Sequence, residues 1–153
     1  MKKSNKLIYL LVTLLPFYSY ATLGGDSSTI AADNRALASI VSNVVTTSSI
    51  NNGYTVSSIK TTDNHTITEY TSSNGKVFCV TWKGRSYPKF SQILGSDSSQ
   101  LKSANKTSKT MTSSNNITGK DFVFTQSGIP GMLSGRACKP SLVPANINVN
   151  NLK

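Results

Sequence analysis

Three stretches of alternating residues, separated by turn signals, constrain the fold of this chain more than any other feature. Residues 54–60 read as a strand, 61–64 as a turn, and 65–72 as a second strand carrying Ile67 and Tyr70. Ser73-Asn74-Gly75 supplies residues that tolerate a positive φ, and residues 76–82 follow as a third strand. Within it, Val77-Phe78-Cys79-Val80 is apolar on both faces, which suits a central strand covered on both sides. Strands joined by such short turns pair antiparallel as a meander.

The flanking sequence adds helices and a further strand pair. Asp26 to Ser28 can cap a helix over residues 29–42, with Ile30, Leu37, Ile40 and Val41 at helical spacing; Val44 to Thr47 could equally be strand. After the meander, Pro88 suits the first turn of a short helix with Phe90, Ile93 and Leu94 on its apolar side and Gly95 at its end. Residues 96–116 contain 13 Ser, Thr or Asn and predict a flexible polar tract, or a weak helix over 101–109. Residues 121–126 and 132–138 form a strand and a return strand around a turn at 127–131, and the tail from Lys139 carries Pro140 and Pro144. The expected fold is α+β: a small antiparallel sheet of about five strands, a three-stranded meander plus a C-terminal hairpin, with short helices.

The N-terminus predicts export. Met1-Lys2-Lys3-Ser4-Asn5-Lys6 is a charged leader segment, Leu7 to Leu15 is apolar apart from Thr13, and Ser19-Tyr20-Ala21 offers small residues to a signal peptidase. Pro16 and Ser19 interrupt the run before the ~20 apolar residues a membrane-spanning helix needs. Residues 1–21 are therefore expected to be a signal peptide cleaved after Ala21, leaving 22–153 as one periplasmic or secreted domain with no transmembrane segment. Of the net charge of +10, Lys2, Lys3 and Lys6 leave with the leader, so 13 bases face 6 acids in the mature chain. That excess favours anionic partners or, more simply, a lysine-decorated soluble surface.

Few residues carry recognisable chemistry. His65, Cys79 and Cys138 are too few, and too far from any zinc-ligand spacing, to specify a metal site, and no cofactor motif is present. His65, near Asp63, could serve as a base only if a nucleophile such as Cys79 lay within reach; the simpler reading leaves it at the start of an exposed strand. Glu69 is the only glutamate, and the five aspartates are scattered. Trp82, Lys83, Arg85, Tyr87 and Lys89 interleave bases and aromatics, a candidate anion-binding patch in which rings would stack on bases. The plainer alternative has Trp82 and Phe90 anchoring the core beneath solvated cations. Cys79 and Cys138, each in a proposed strand of an exported chain, are candidates for a structural disulfide; two buried thiols or a redox couple are the alternatives.

One resemblance spans nearly the whole mature chain. Tyr54-Thr55-Val56, Glu69-Tyr70, the run from Gly75 to Gly84, Pro88 with Leu94-Gly95, the start Leu23-Gly24-Gly25 and the stretch from Gly135 to Pro144 look like domain of unknown function 2844. That family comprises small exported bacterial proteins. The resemblance implies a fold and no activity, because the matching residues are strand and turn residues. In its pattern Cys79 and Cys138 replace an alanine-like and an aromatic-like position, so a family-wide mechanism would not rest on cysteine. The expected role is a non-enzymatic periplasmic or secreted accessory or binding module, whose partner is another envelope protein or an anionic envelope polymer. A small envelope hydrolase and a basic protein binding nucleic acid or lipopolysaccharide are the alternatives.

Overall fold

The computed structural model describes residues 23–26, 44–45, 53–60, 64–105 and 114–152. The expected signal peptide (1–21) and helix (29–42) lie outside the described residues.

The meander forms where the alternation places it. Strands β2 (Tyr54–Lys60), β3 (Thr66–Ser72) and β4 (Val77–Gly84) pair antiparallel in sequence order. Gly75 turns at φ +79° between β3 and β4, and the Ser72 N–H closes that hairpin on the Lys76 carbonyl at 2.9 Å. Tyr70 pairs with Cys79 and Thr71 with Val77, which leaves Phe78 as the extra residue of a bulge. The bulge lets Phe78 and Cys79 point to the same side.

The sheet is larger than the five strands expected. Six strands of five to eight residues and the two-residue β1 (Val44–Val45) run in the order β1-β2-β3-β4-β7-β6-β5. The additional full strand is β5 (Ser114–Thr118), which continues out of the Ser/Thr/Asn-rich tract and pairs with β6 (Val123–Ile129). A polar sequence hides such a strand from pattern reading, because an edge strand is held by its backbone ladder and favours polar side chains. β6 also starts two residues later than expected and runs three residues further, to Ile129. Its turn into β7 (Met132–Cys138) needs only Pro130 and Gly131, with Gly131 at φ +91°, and Ile129 already pairs with Met132. β7 lies beside β4, which is thereby central as its two-sided apolar run requires.

Each face of the sheet is covered differently. On the first face Ile67, Val80, Trp82, Phe124 and Ala137 pack under Leu23, Ile93, Leu94, Leu101 and Phe122. Ile93 and Leu101 come from α1 (Phe90–Ile93) and α2 (Ser98–Asn105), with Leu94 and a 3-10 turn (Gly95–Asp97) between them, so regular structure occupies part of the 96–116 tract; Leu23 and Phe122 come from outside these elements. Lys139 ties this layer to the end of β7. Its Nζ lies 3.0 Å from the buried Asp97 carboxylate, and its stem runs where a side chain on Gly24 would sit. The second face is only half covered. Tyr54, Tyr70, Phe78, Cys79 and Cys138 pack there beneath Leu142, Val143, Ile147, Val149 and Leu152 of the C-terminal tail. The Cys79–Cys138 disulfide joins directly opposed residues of β4 and β7, 59 apart in sequence.

Candidate ligand-binding groove

Strand alternation makes the uncovered half of the second face a polar surface. Along β4 the residues on this side after Cys79 are Thr81 and Lys83; along β7, before Cys138, they are Arg136 and Ser134. The register aligns them with their neighbours. One row runs Thr68, Thr81, Arg136, Thr125 and Asn116 across β3, β4, β7, β6 and β5. The next row runs Thr66, Lys83, Ser134, Ser127 and Ser114 across the same five strands. All ten line a groove of about 700 Å³, with Leu152 of the tail at its border. At about 4.8 Å between strands, each row is roughly 19 Å long.

Arg136 stands at the boundary between this groove and the tail. Its guanidinium donates to the Val149 carbonyl and, at 3.0 Å, to the Asn150 side-chain oxygen. It also borders a hollow of about 560 Å³ beneath the tail, walled by Val123, Cys138, Val143, Ile147 and Val149. Farther along, Asp121 accepts from the Ser141 hydroxyl at 2.7 Å and from the Ser141 N–H at 2.9 Å. Those two bonds hold the Asp121 carboxyl below the ordinary carboxylate range; slight burial opposes them and Lys139 assists. The tail is thus clasped at both ends, at Asp121 and at Arg136.

The candidate anion patch does not assemble as an aromatic-cation surface. Lys83, Arg85, Tyr87 and Lys89 are exposed, but Trp82 is 2% exposed and points into the first face. There its ring lies 5.2 Å from Phe90 and 5.3 Å from Phe124, and a side chain on Gly135 would come within 2.3 Å of it. Trp82 was drawn inward because position 82 alternates onto the covered side, where a large ring buries most apolar area. Lys83, one residue later, faces the groove.

His65 is corrected too. It is buried, not on an exposed strand end, and fills the space left by Gly84, where a Cβ would meet its ring at 2.2 Å. Its Nε2 lies 2.8 Å from the Ser86 carbonyl and 3.1 Å from the Ser86 hydroxyl. A carbonyl only accepts, so Nε2 carries the proton in that contact and cannot also take one from Ser86. Cys79 is oxidised in the disulfide, which removes it as a nucleophile. Glu69, 2% exposed, alternates onto the opposite face from the groove. Among the described residues, no group of three His, Cys, Asp or Glu is placed to hold a metal ion. No helix among them is long and apolar enough to cross a membrane.

Of the patch named from sequence, Trp82 and Lys83 line the groove, and only Lys83 belongs to its polar rows. The signal for the rows is the spacing of Thr66 with Thr68, Thr81 with Lys83, Ser114 with Asn116, Thr125 with Ser127 and Ser134 with Arg136, each two apart in a strand. Spacing marks one side of one strand; only the register joins five such pairs into rows.

Comparisons with known proteins place the chain in a family without assigning it a chemistry. No curated protein and no solved structure matches it. A family model described as protein of unknown function (DUF2844) matches residues 19–152, nearly the whole chain, and the protein belongs to that family.

Proposed function

We propose that this protein is an exported, non-enzymatic binding module of the cell envelope, and that the polar groove is its ligand seat. The basic leader, the apolar run and Ser19-Tyr20-Ala21 support export to the periplasm or beyond, with Thr22 as the new N-terminus. One observation carries the binding reading. Ten side chains in two unbroken rows are all polar and all face the same side, beyond the half of that face which the tail seals; among the described residues only Thr68 and Thr81 of the ten are buried. The open face of an antiparallel sheet is ordinarily polar; what distinguishes this one is that eight hydroxyl or amide side chains and two cations line one concavity. Such convergence of donors and acceptors orients a ligand. His65 and Cys79, committed to a carbonyl contact and a disulfide, support binding over catalysis.

The compartment is checked by N-terminal sequencing of the mature protein, expected to begin at Thr22 or within a residue or two; full-length protein in the cytoplasm would end the export reading. The seat is checked by sedimenting the labelled mature chain with envelope fractions. Ser134→Glu, which sets a carboxylate in the middle of the groove, should abolish retention. Lys89→Ser, outside the groove, should leave it unchanged. Equal retention of wild type and Ser134→Glu would remove the groove from the account.

A further inference from the structure

The charge pattern of the groove narrows its ligand, taking the groove as the seat proposed above. Lys83 and Arg136 are the charged residues lining it, and no carboxylate lines it among the described residues. Lys83 is opposite Ser134, and Arg136 is two residues beyond Ser134 on the same side of β7. Diagonal positions of this kind lie about 7–8 Å apart across an antiparallel pair. Two cations therefore stand at diagonal positions on neighbouring strands of one groove. Arg136 is held in place by the tail through Val149 and Asn150, yet a guanidinium has five donors and those two contacts leave others for a ligand.

Apart from Trp82, Gly135 and Leu152, the remaining lining is hydroxyl and amide: threonines, serines, Asn116 and Gln126, extending the rows to the edge strand β5. Such groups exchange hydrogen bonds with polyhydroxylated molecules in either direction, since each both donates and accepts. A single-stranded nucleic acid also carries anions, but its affinity draws on aromatic rings that stack with bases. The one ring at the groove belongs to Trp82, and it is buried on the other face. A peptide strand would call for apolar pockets at alternate positions, and both rows are polar throughout.

We infer that the groove binds an anionic glycan: its acidic group lies between Lys83 and Arg136, and its hydroxyls run along the Thr and Ser rows. The experiment is amide chemical-shift mapping on the full mature chain with three probes: an alginate oligosaccharide, a neutral dextran oligosaccharide and oligothymidylate. Alginate should shift the amides of β4, β6 and β7 that flank the groove and bind at least ~10-fold more tightly than either other probe. Lys83→Ser should weaken alginate about tenfold, whereas Lys89→Ser, the same loss of charge outside the groove, should change it less than about twofold. Equal losses in the two variants would overturn the inference in favour of general attraction to a basic surface. So would oligothymidylate binding as well as alginate, or alginate binding nowhere. Dextran binding in the groove as tightly as alginate would overturn the anionic assignment and leave the seat standing. Alginate shifts confined to other surfaces would overturn both.

Discussion

The second face of the sheet contains two regions made from the same strands, and two residues along each strand separate them. At Tyr70, Cys79, Cys138 and Val123 the face is apolar, cross-linked and roofed by the tail. At Thr68, Thr81, Arg136 and Thr125, one step on, it is polar and lines the groove. The backbone ladder is continuous through both. On the proposed reading, side-chain burial divides the work: the roofed half contributes stability, and the other half presents groups to a ligand. The difference predicts that substitutions in the two halves affect separate observables.

The largest effect should come from breaking the roofed half at its cross-link. The 59-residue separation of Cys79 and Cys138 corresponds to about 4 kcal/mol in the chain-entropy model. Calorimetry on Cys79→Ser, Cys138→Ser and the double variant should show a drop in Tm on the order of 10 °C, nearly the same in all three. Thiol titration of the unreduced, denatured protein should find no free thiol. Ligand retention at low temperature should survive, because neither cysteine lines the groove; a loss parallel to Tm would merge the two halves.

A smaller effect should follow from disturbing the strand that links the halves from behind. Gly135 lies between Ser134 and Arg136 of the groove, but its own side faces the Trp82 ring on the first face. Gly135→Ala would press a methyl into that ring and cost about 2 kcal/mol. The expected readout is a lower Tm with a red-shifted tryptophan emission as the indole loses its packing. An unchanged Tm would show that the close approach is easily relieved.

The clasp of the tail supplies the pH dependence. Asp121 has its folded pKa lowered by Ser141, so its contribution is present above the ordinary aspartate value and is lost as pH falls through the depressed folded value. Below about pH 4 the tail should loosen and wild-type stability decline relative to neutral pH. Asp121→Asn should flatten that part of the decline, with a stability difference from wild type that vanishes in acid. A variant that keeps the same acid profile as wild type would assign the decline to other carboxylates.

How much of this was legible in the sequence follows from what each element depends on. The meander was legible because Ser73-Asn74-Gly75 and the alternating strands specify it locally. The disulfide was legible because two cysteines fell in strands that a single sheet could bring together. β5 was not, since Ser114-Asn115-Asn116-Ile117-Thr118 has one apolar residue and draws its order from β6. His65 was misjudged because its burial depends on Gly84 at the end of β4 and on Ser86 just beyond it, 21 residues away. The patch around Trp82 was half right: alternation puts Lys83 outside and the indole inside, and which side was covered could not be told from one strand. The groove itself was invisible, because its polar residues are ordinary in every strand and become a site only in register.

The central claim, that the two halves of one face serve separate purposes, is tested most directly by a reciprocal pair of near-isosteric changes in β6. Val123 lies in the roofed row and Thr125 in the open one, two residues apart. Thr125→Val removes a hydroxyl from the groove, and Val123→Thr puts one beneath the tail. Tm and envelope retention should be measured together on both variants. The account predicts that Thr125→Val keeps Tm within about 2 °C of wild type and loses retention. Val123→Thr should lower stability by about 1 kcal/mol and keep retention. If stability and retention fell together in both variants, or if retention followed Val123 rather than Thr125, the division of the face would be contradicted.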